Sequence, residues 1–220
     1  MCGRYLLRNA PEDAELGSWR EYAELMRGEF TRPRYNICPS QDCLLLRVVD
    51  GNKVCETLSW GFKPHWSKYN PLINAKAENL FASKMFKHSA KQQRCLVITD
   101  GFYEPKGPSS AKNRPWFLFQ YKDKRTFAMA GIWLDTGFAI ITCEANNLVS
   151  PCHNRMPLII EPDNWERWLD LQVSDEVELA DLLQSREYPE MECYEVSNYV
   201  KKPGNEGPQC VEAVASNELF

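Results

Sequence analysis

Cys2 has the most specific chemistry of any residue in this chain. Cysteine is small enough for an initiator methionine before it to be removed, leaving a free amine and a thiol on adjacent carbons. The amine, with a pKa of about 7.7–8.0, is partly neutral near pH 7, and the thiol, at about 8.5, is partly ionised. Such a 1,2-aminothiol condenses with aldehydes. The amine forms a Schiff base, and the thiol closes on the same carbon to give a five-membered thiazolidine. Position alone favours an unremarkable N-terminal cysteine.

Three further stretches set polar residues among apolar or aromatic ones. Asn74 lies in Pro71-Leu-Ile-Asn-Ala-Lys-Ala-Glu78, an amide in an apolar setting followed by two charges. Asp100 and Glu104 bracket Gly-Phe-Tyr directly after an apolar run, where a carboxylate would stand at a pocket rim. His153 opens His-Asn-Arg-Met-Pro, and a histidine near Arg155 is an acid–base candidate. Each stretch, taken singly, also fits a turn residue or a surface charge.

The elements that would position these residues follow from periodicity. Leu16, Trp19, Ala23 and Met26 step by three and four, which predicts a helix from about Pro11 to Arg27 with Gly28 as its cap. Runs rich in β-branched and aromatic residues predict strands at Cys43–Val49, Cys95–Thr99, Trp116–Tyr121, Phe127–Ile132, Phe138–Thr142 and Leu158–Ile160. Two short helices, Asp163–Leu171 and Asp175–Gln184, are expected to start at Pro162 and Ser174, with a late strand near Glu192–Ser197. Strands with helices toward the ends of the sequence read as α+β, in one domain over residues 1–220.

Composition narrows the setting. The 220 residues are 44% hydrophobic and 25% charged, as in ordinary globular proteins. No apolar run reaches the roughly 20 residues of a membrane span, so a cytoplasmic protein is the expectation. The 9 cysteines include no C-x-x-C pair, so reduced thiols are expected rather than a metal site or a disulfide framework. The net charge of -4 is unevenly spread. Trp60–Ile98 holds seven lysines and arginines against one acid, and Glu161–Glu195 holds twelve acids against two arginines. A basic face on an acidic chain fits nucleic acid, while charge alone favours two solvated helix faces of opposite sign.

In combination the motifs are specific. Met1-Cys-Gly-Arg4, Arg34-Tyr-Asn-Ile-Cys-Pro39, Trp60-Gly-Phe-Lys-Pro-His-Trp66, Ile73–Glu78, Asp100–Glu104 and His153–Pro157 occur in the order of the SOS-response-associated peptidase family, which the chain resembles from residue 2 to its tail. That resemblance implies an α+β domain on a β-barrel-like mixed sheet flanked by helices. It also implies binding of single-stranded DNA at abasic sites, covalent capture of the sugar aldehyde by Cys2, and no cofactor or metal. Asn74, Glu104 and His153 match the family's other active-site positions. Arg4, Asn36, Pro39, Trp66, Lys76, Lys84, Thr142 and Arg155 match positions that contact DNA. A monomer is expected, and "peptidase" would concern release of the residue before Cys2. The chain departs from the family in having lysine at 76 and 84, without arginine's phosphate fork, and Pro105 where a tryptophan is common. The alternatives are an N-terminal-nucleophile glutamine amidotransferase, which shares the Met-Cys-Gly start, and a non-catalytic DNA-binding module.

Overall fold

The computed structural model describes residues 2–9, 20–108, 110–111 and 113–214. Thirteen strands and four short α-helices are found among them. The N-terminal strand β1 (Tyr5–Leu7) sits inside a five-stranded sheet, between β2 (Arg34–Ile37) and β7 (Gly101–Pro105). That sheet continues through β8 (Trp116–Tyr121) to β13 (Met191–Val196).

The second sheet runs, in spatial order, through β11 (Arg155–Pro157), β10 (Gly137–Glu144), β9 (Phe127–Leu134), β6 (Arg94–Thr99), β3 (Asp42–Val49) and β4 (Asn52–Ser59). β12 (Ile159–Ile160) pairs with β9, and β5 (Asn74–Lys76) runs parallel to β10. Neither hydrogen-bonded ladder closes on itself. The architecture is mostly sheet with few helices, and the barrel-like closure implied by the family resemblance is not formed by these ladders.

Strand alternation divides the apolar residues between two clusters. Tyr5, Phe102, Phe119 and Tyr121 join the main core with β3, β6, β9 and β10. The intervening Leu6, Tyr103 and Leu118 face the other way, onto Val196, Val200 and Cys210. β6 is buried along its whole length, and at its start Arg94 is fully enclosed. All five N–H groups of a guanidinium need acceptors when buried. Arg94 meets the carbonyls of Trp168, Ala90, Lys91, Asp170 and Val173 at 2.6–3.2 Å. One of the seven basic residues between Trp60 and Ile98 is therefore a structural pin and adds nothing to a surface groove.

The expected helix at Pro11–Arg27 is seen as α1 (Arg20–Glu29), with residues 10–19, including Leu16 and Trp19, outside the described part. It runs through Gly28 rather than stopping there, because Phe30 N–H still reaches the Met26 carbonyl at 2.9 Å. α2 (Lys87–Gln92) was not expected. The first of the late helices is a 3-10 turn, Pro162–Asn164, leading into α3 (Trp165–Leu169). The second shortens to α4 (Glu176–Leu179), capped by Asp175 in a reciprocal box with Glu178 rather than by Ser174.

The Asp100–Glu104 stretch is not a rim. Its last four residues belong to β7, and Asp100 is buried, accepting the backbone N–H groups of Arg8 and Asn9 and the Thr126 hydroxyl. Gly101 is required there, since a Cβ would come within 2.7 Å of the Phe119 carbonyl oxygen.

Candidate active site

Segments from both sheets meet at the amino-terminal end of the chain. β1 is antiparallel to β7, with Tyr5 opposite Phe102. Tyr103 N–H donates to the Arg4 carbonyl at 3.0 Å, so the residues before β1 continue alongside Glu104. From the other sheet comes β5, whose Asn74 and Lys76 lie opposite Ile140 and Thr142 of β10. Asn74 Nδ2 donates to the Cys2 carbonyl at 2.8 Å, and this bond ties the two sheets together at the candidate nucleophile. The Asn74 Oδ1 atom is buried and meets no donor among the described residues.

The third contributor is the turn between β10 and β11. It brings His153 beside Arg155, whose backbone N–H donates to His153 Nδ1 at 2.9 Å. With Nδ1 accepting, the neutral imidazole carries its proton on Nε2. Cys152, one residue earlier, lies within the electrostatic reach of Glu104.

Cys2 and Glu104 are both buried, at 0% and 1% exposure. Burial pushes the Cys2 thiol far above its ordinary value, and the Glu104 charge adds to the shift. Burial likewise pushes Glu104 up to about 7, while the positive amino terminus and Arg114 pull it back. His153 is shifted down, first by burial and then by the amino terminus, with Arg114 and Arg155 adding. Glu104 acts on the Cys2 thiol, and Arg114 acts on both Glu104 and His153, so the three share one electrostatic neighbourhood. It contains a thiol that keeps its proton, a carboxyl group poised near neutrality and a neutral imidazole.

The residues expected to contact DNA divide into three groups. Lys76, Thr142 and Arg155 adjoin the site. Lys76 is exposed, whereas Thr142 is buried, its hydroxyl 3.4 Å from the Ala75 carbonyl. Arg155 holds Glu78 through both guanidinium ends and also donates to the Thr142 carbonyl. Any phosphate at Arg155 would share it with Glu78, whose own carboxyl that guanidinium holds below its usual range.

Trp66 and Lys84 stand exposed on segments of their own. Arg4, Asn36 and Pro39 lie at β1 and β2. Pro39 is half-buried, and the Arg4 guanidinium donates to Asn36 Oδ1 at 3.0 Å and Cys38 Sγ at 2.6 Å. Asn36 is fully buried, its Nδ2 shared among the carbonyls of Val200, Lys202 and Asn205 at 2.9–3.1 Å. Its side chain latches the 198–205 segment onto β2. Asn36→Ala should strand those carbonyls and cost on the order of 1–3 kcal/mol, read as a lowered urea midpoint. An unchanged midpoint would remove the latch.

Sequence reasoning passed over Arg114. The signal was available in the β7–β8 hairpin: β8 begins at Trp116, opposite Pro105, and Lys106 N–H donates to the Pro115 carbonyl at 2.9 Å. The residue just before Pro115 therefore stands across from the end of the Glu104 strand, and its charge acts on Glu104 and His153 alike.

The chain resembles known proteins over nearly its whole length. The chain is 31% identical to the abasic site processing protein YoqW of Bacillus subtilis over 97% of this chain and 100% of that one. It is 28% identical to the abasic site processing protein YedK of Escherichia coli, over 97% and 100% respectively. A phage-related protein of Bordetella bronchiseptica, solved by crystallography, superposes with a TM-score of 0.71 at 28% identity, covering 89% of this chain and 94% of its own. A Bacteroides thetaiotaomicron crystal structure shares the fold at a TM-score of 0.73 over 97% and 100%, with 22% identity. Residues 1–203 match the family model described as SOS response associated peptidase (SRAP), and the chain belongs to that family.

Proposed function

We propose that this protein captures abasic sites in single-stranded DNA by forming a thiazolidine between Cys2 and the open-chain sugar aldehyde. The observation that carries the reading is the junction of Cys2 with Asn74 and Glu104: a nucleophile pinned through its carbonyl beside a carboxyl group near pKa 7.

The chemistry balances without a cofactor. The Cys2 amine adds to the aldehyde carbon, and the carbinolamine loses water to leave an imine. The thiol then adds to the imine carbon, its proton passing to the nitrogen. One water is released and two bonds to the former aldehyde carbon are made. Water leaves only when its oxygen is protonated, and a carboxyl group near pKa 7 can give that proton and take the thiol's in the next step. An imine left open would act as an electron sink and promote β-elimination, which breaks the strand. Ring closure removes the sink, so the thiol protects where an amine alone would cleave.

The neutral His153 would donate from Nε2 to the sugar or a phosphate oxygen. The buried Asn74 Oδ1 is an acceptor for a sugar hydroxyl or the Cys2 amine. Arg4, Lys76, Lys84 and Arg155 would neutralise phosphates, Trp66 would stack on a base, and Asn36, Pro39 and Thr142 would shape the walls.

Incubation with an abasic single-stranded oligonucleotide should give one adduct that survives denaturing electrophoresis, with a mass equal to the sum of protein lacking Met1 and DNA, less one water. Absence of that species would refute the reading.

A further inference from the structure

The loop between Phe62 and Leu72 carries two large rings into solvent. Trp66 is 62% and Tyr69 is 72% exposed, the most exposed aromatic residues among those described. The loop is held at its base. Phe62 and Leu72 exchange backbone hydrogen bonds at 2.9 Å in both directions, and the Thr136 hydroxyl donates to the Lys63 carbonyl at 2.8 Å. Phe62 is buried edge-on against Phe86, with ring centroids 5.4 Å apart, and Pro64 is also buried. Two internal bonds shape the tip: Ser67 N–H to the Pro64 carbonyl at 2.9 Å, and Tyr69 N–H to the Ser67 hydroxyl at 3.2 Å. Lys63, His65 and Lys68 stand exposed among the rings, and no acid occurs between Glu56 and Glu78.

We propose that this loop is a stacking station for unpaired nucleobases, with Tyr69 as a ring that holds the strand beyond the reacting nucleotide. The inference rests on the single-stranded DNA reading above and extends it to a residue outside the site. Rings interleaved with cations on a pinned backbone suit a strand whose bases offer π-faces and whose phosphates offer charge. A protein partner fits less well, because lysine is depleted from the centres of protein interfaces. The pinned base lowers the ordering cost of binding. Tyr69 is also close to the site along the chain: it lies five positions before Asn74, a span of at most roughly 18 Å.

The test uses the full chain and DNA without an aldehyde, so that only non-covalent binding is read. Wild type, Tyr69→Ala and Tyr69→Phe would be titrated by fluorescence anisotropy with a 12-nucleotide thymidine strand. The same strand with base-free tetrahydrofuran units in place of every nucleotide serves as the second probe. Tyr69→Ala should weaken binding to the first strand by about five-fold or more, the low end of base–aromatic stacking. Tyr69→Phe should match wild type, and all three should bind the base-free strand equally. Equal affinity of Tyr69→Ala and wild type for the thymidine strand overturns the proposal. So does a loss that is as large on the base-free strand. Adduct formation with a short abasic oligonucleotide, measured on the same preparations, reports Cys2 separately, so failure of the stacking station leaves that reading standing and the reverse also holds.

Discussion

Cys2→Ala should abolish the denaturation-resistant adduct, the largest single effect expected of any substitution in this chain. The variant keeps an α-amine, so an imine can still form, but nothing closes on it. Borohydride should therefore trap a bond that heat alone destroys. Strand cleavage should rise above the wild-type level, because the imine persists as an electron sink. Cys2→Ser should resemble the alanine variant, since a hydroxyl is a far weaker nucleophile than a thiol. A residue added before Cys2 should silence the protein as well, by converting the amine to an amide. The fold should tolerate alanine, which loses only a buried sulfur. A stable crosslink of undiminished yield from Cys2→Ala would refute thiazolidine capture.

Glu104→Gln should slow adduct formation by about 10²–10⁴-fold, the usual worth of a positioned acid or base. Wild-type rates should bend near pH 7, where the buried carboxyl changes state, and the glutamine variant should lack that inflection. Stability supplies an independent readout. The folded-state pKa of Glu104 is raised from 4.5 to about 7, so its contribution is fully present below about pH 4.5 and is lost as pH rises through about 7. Glutamine mimics the protonated acid at every pH. The variant should thus melt near wild type at pH 4.5 and above it at pH 8. A purely structural role forecasts the reverse, loss of stability throughout. Wild-type crosslinking rates across pH 5–8 would dismiss Glu104 from the chemistry.

Much of the sheet was legible because its buried strands carry dense β-branched and aromatic runs. Trp116–Tyr121 coincides with β8, and Arg94, Gly137 and Glu144 merely extend their strands beyond the apolar stretch. The strands that went unread are short or lie at an edge. β1 and β5 have only 3 residues each, and β4, on the rim of its sheet, is half-buried along most of its length and carries Lys53 and Glu56. Its turn was readable all the same. Asp50-Gly51, both at positive φ, is the tight hairpin signal that joins β3 to β4.

The site divides along the same line. The aldehyde chemistry proposed for Cys2 follows from residue type and position, and the roles proposed for Asn74, Glu104 and His153 follow from the family motifs. Their convergence does not, since β1, β5 and β7 meet only through long-range pairing. Spacing could not reveal that Asn36 is consumed by the 198–205 segment or that Arg155 is already engaged by Glu78. Both depend on partners more than 70 residues away.

The insertion of β1 between β7 and β2 bears on how the protein is made. The chain's first strand finds a neighbour on one side only when β7, which begins at Gly101, has been synthesised. At about 5–20 residues per second, roughly 5–20 s pass before that neighbour exists. During this interval β1 can pair with β2 alone, and its other edge stays open. Afterward position 2 has no exposed surface. Removal of Met1 by an outside enzyme, which the capture proposed above requires, is therefore easiest before β7 leaves the ribosome.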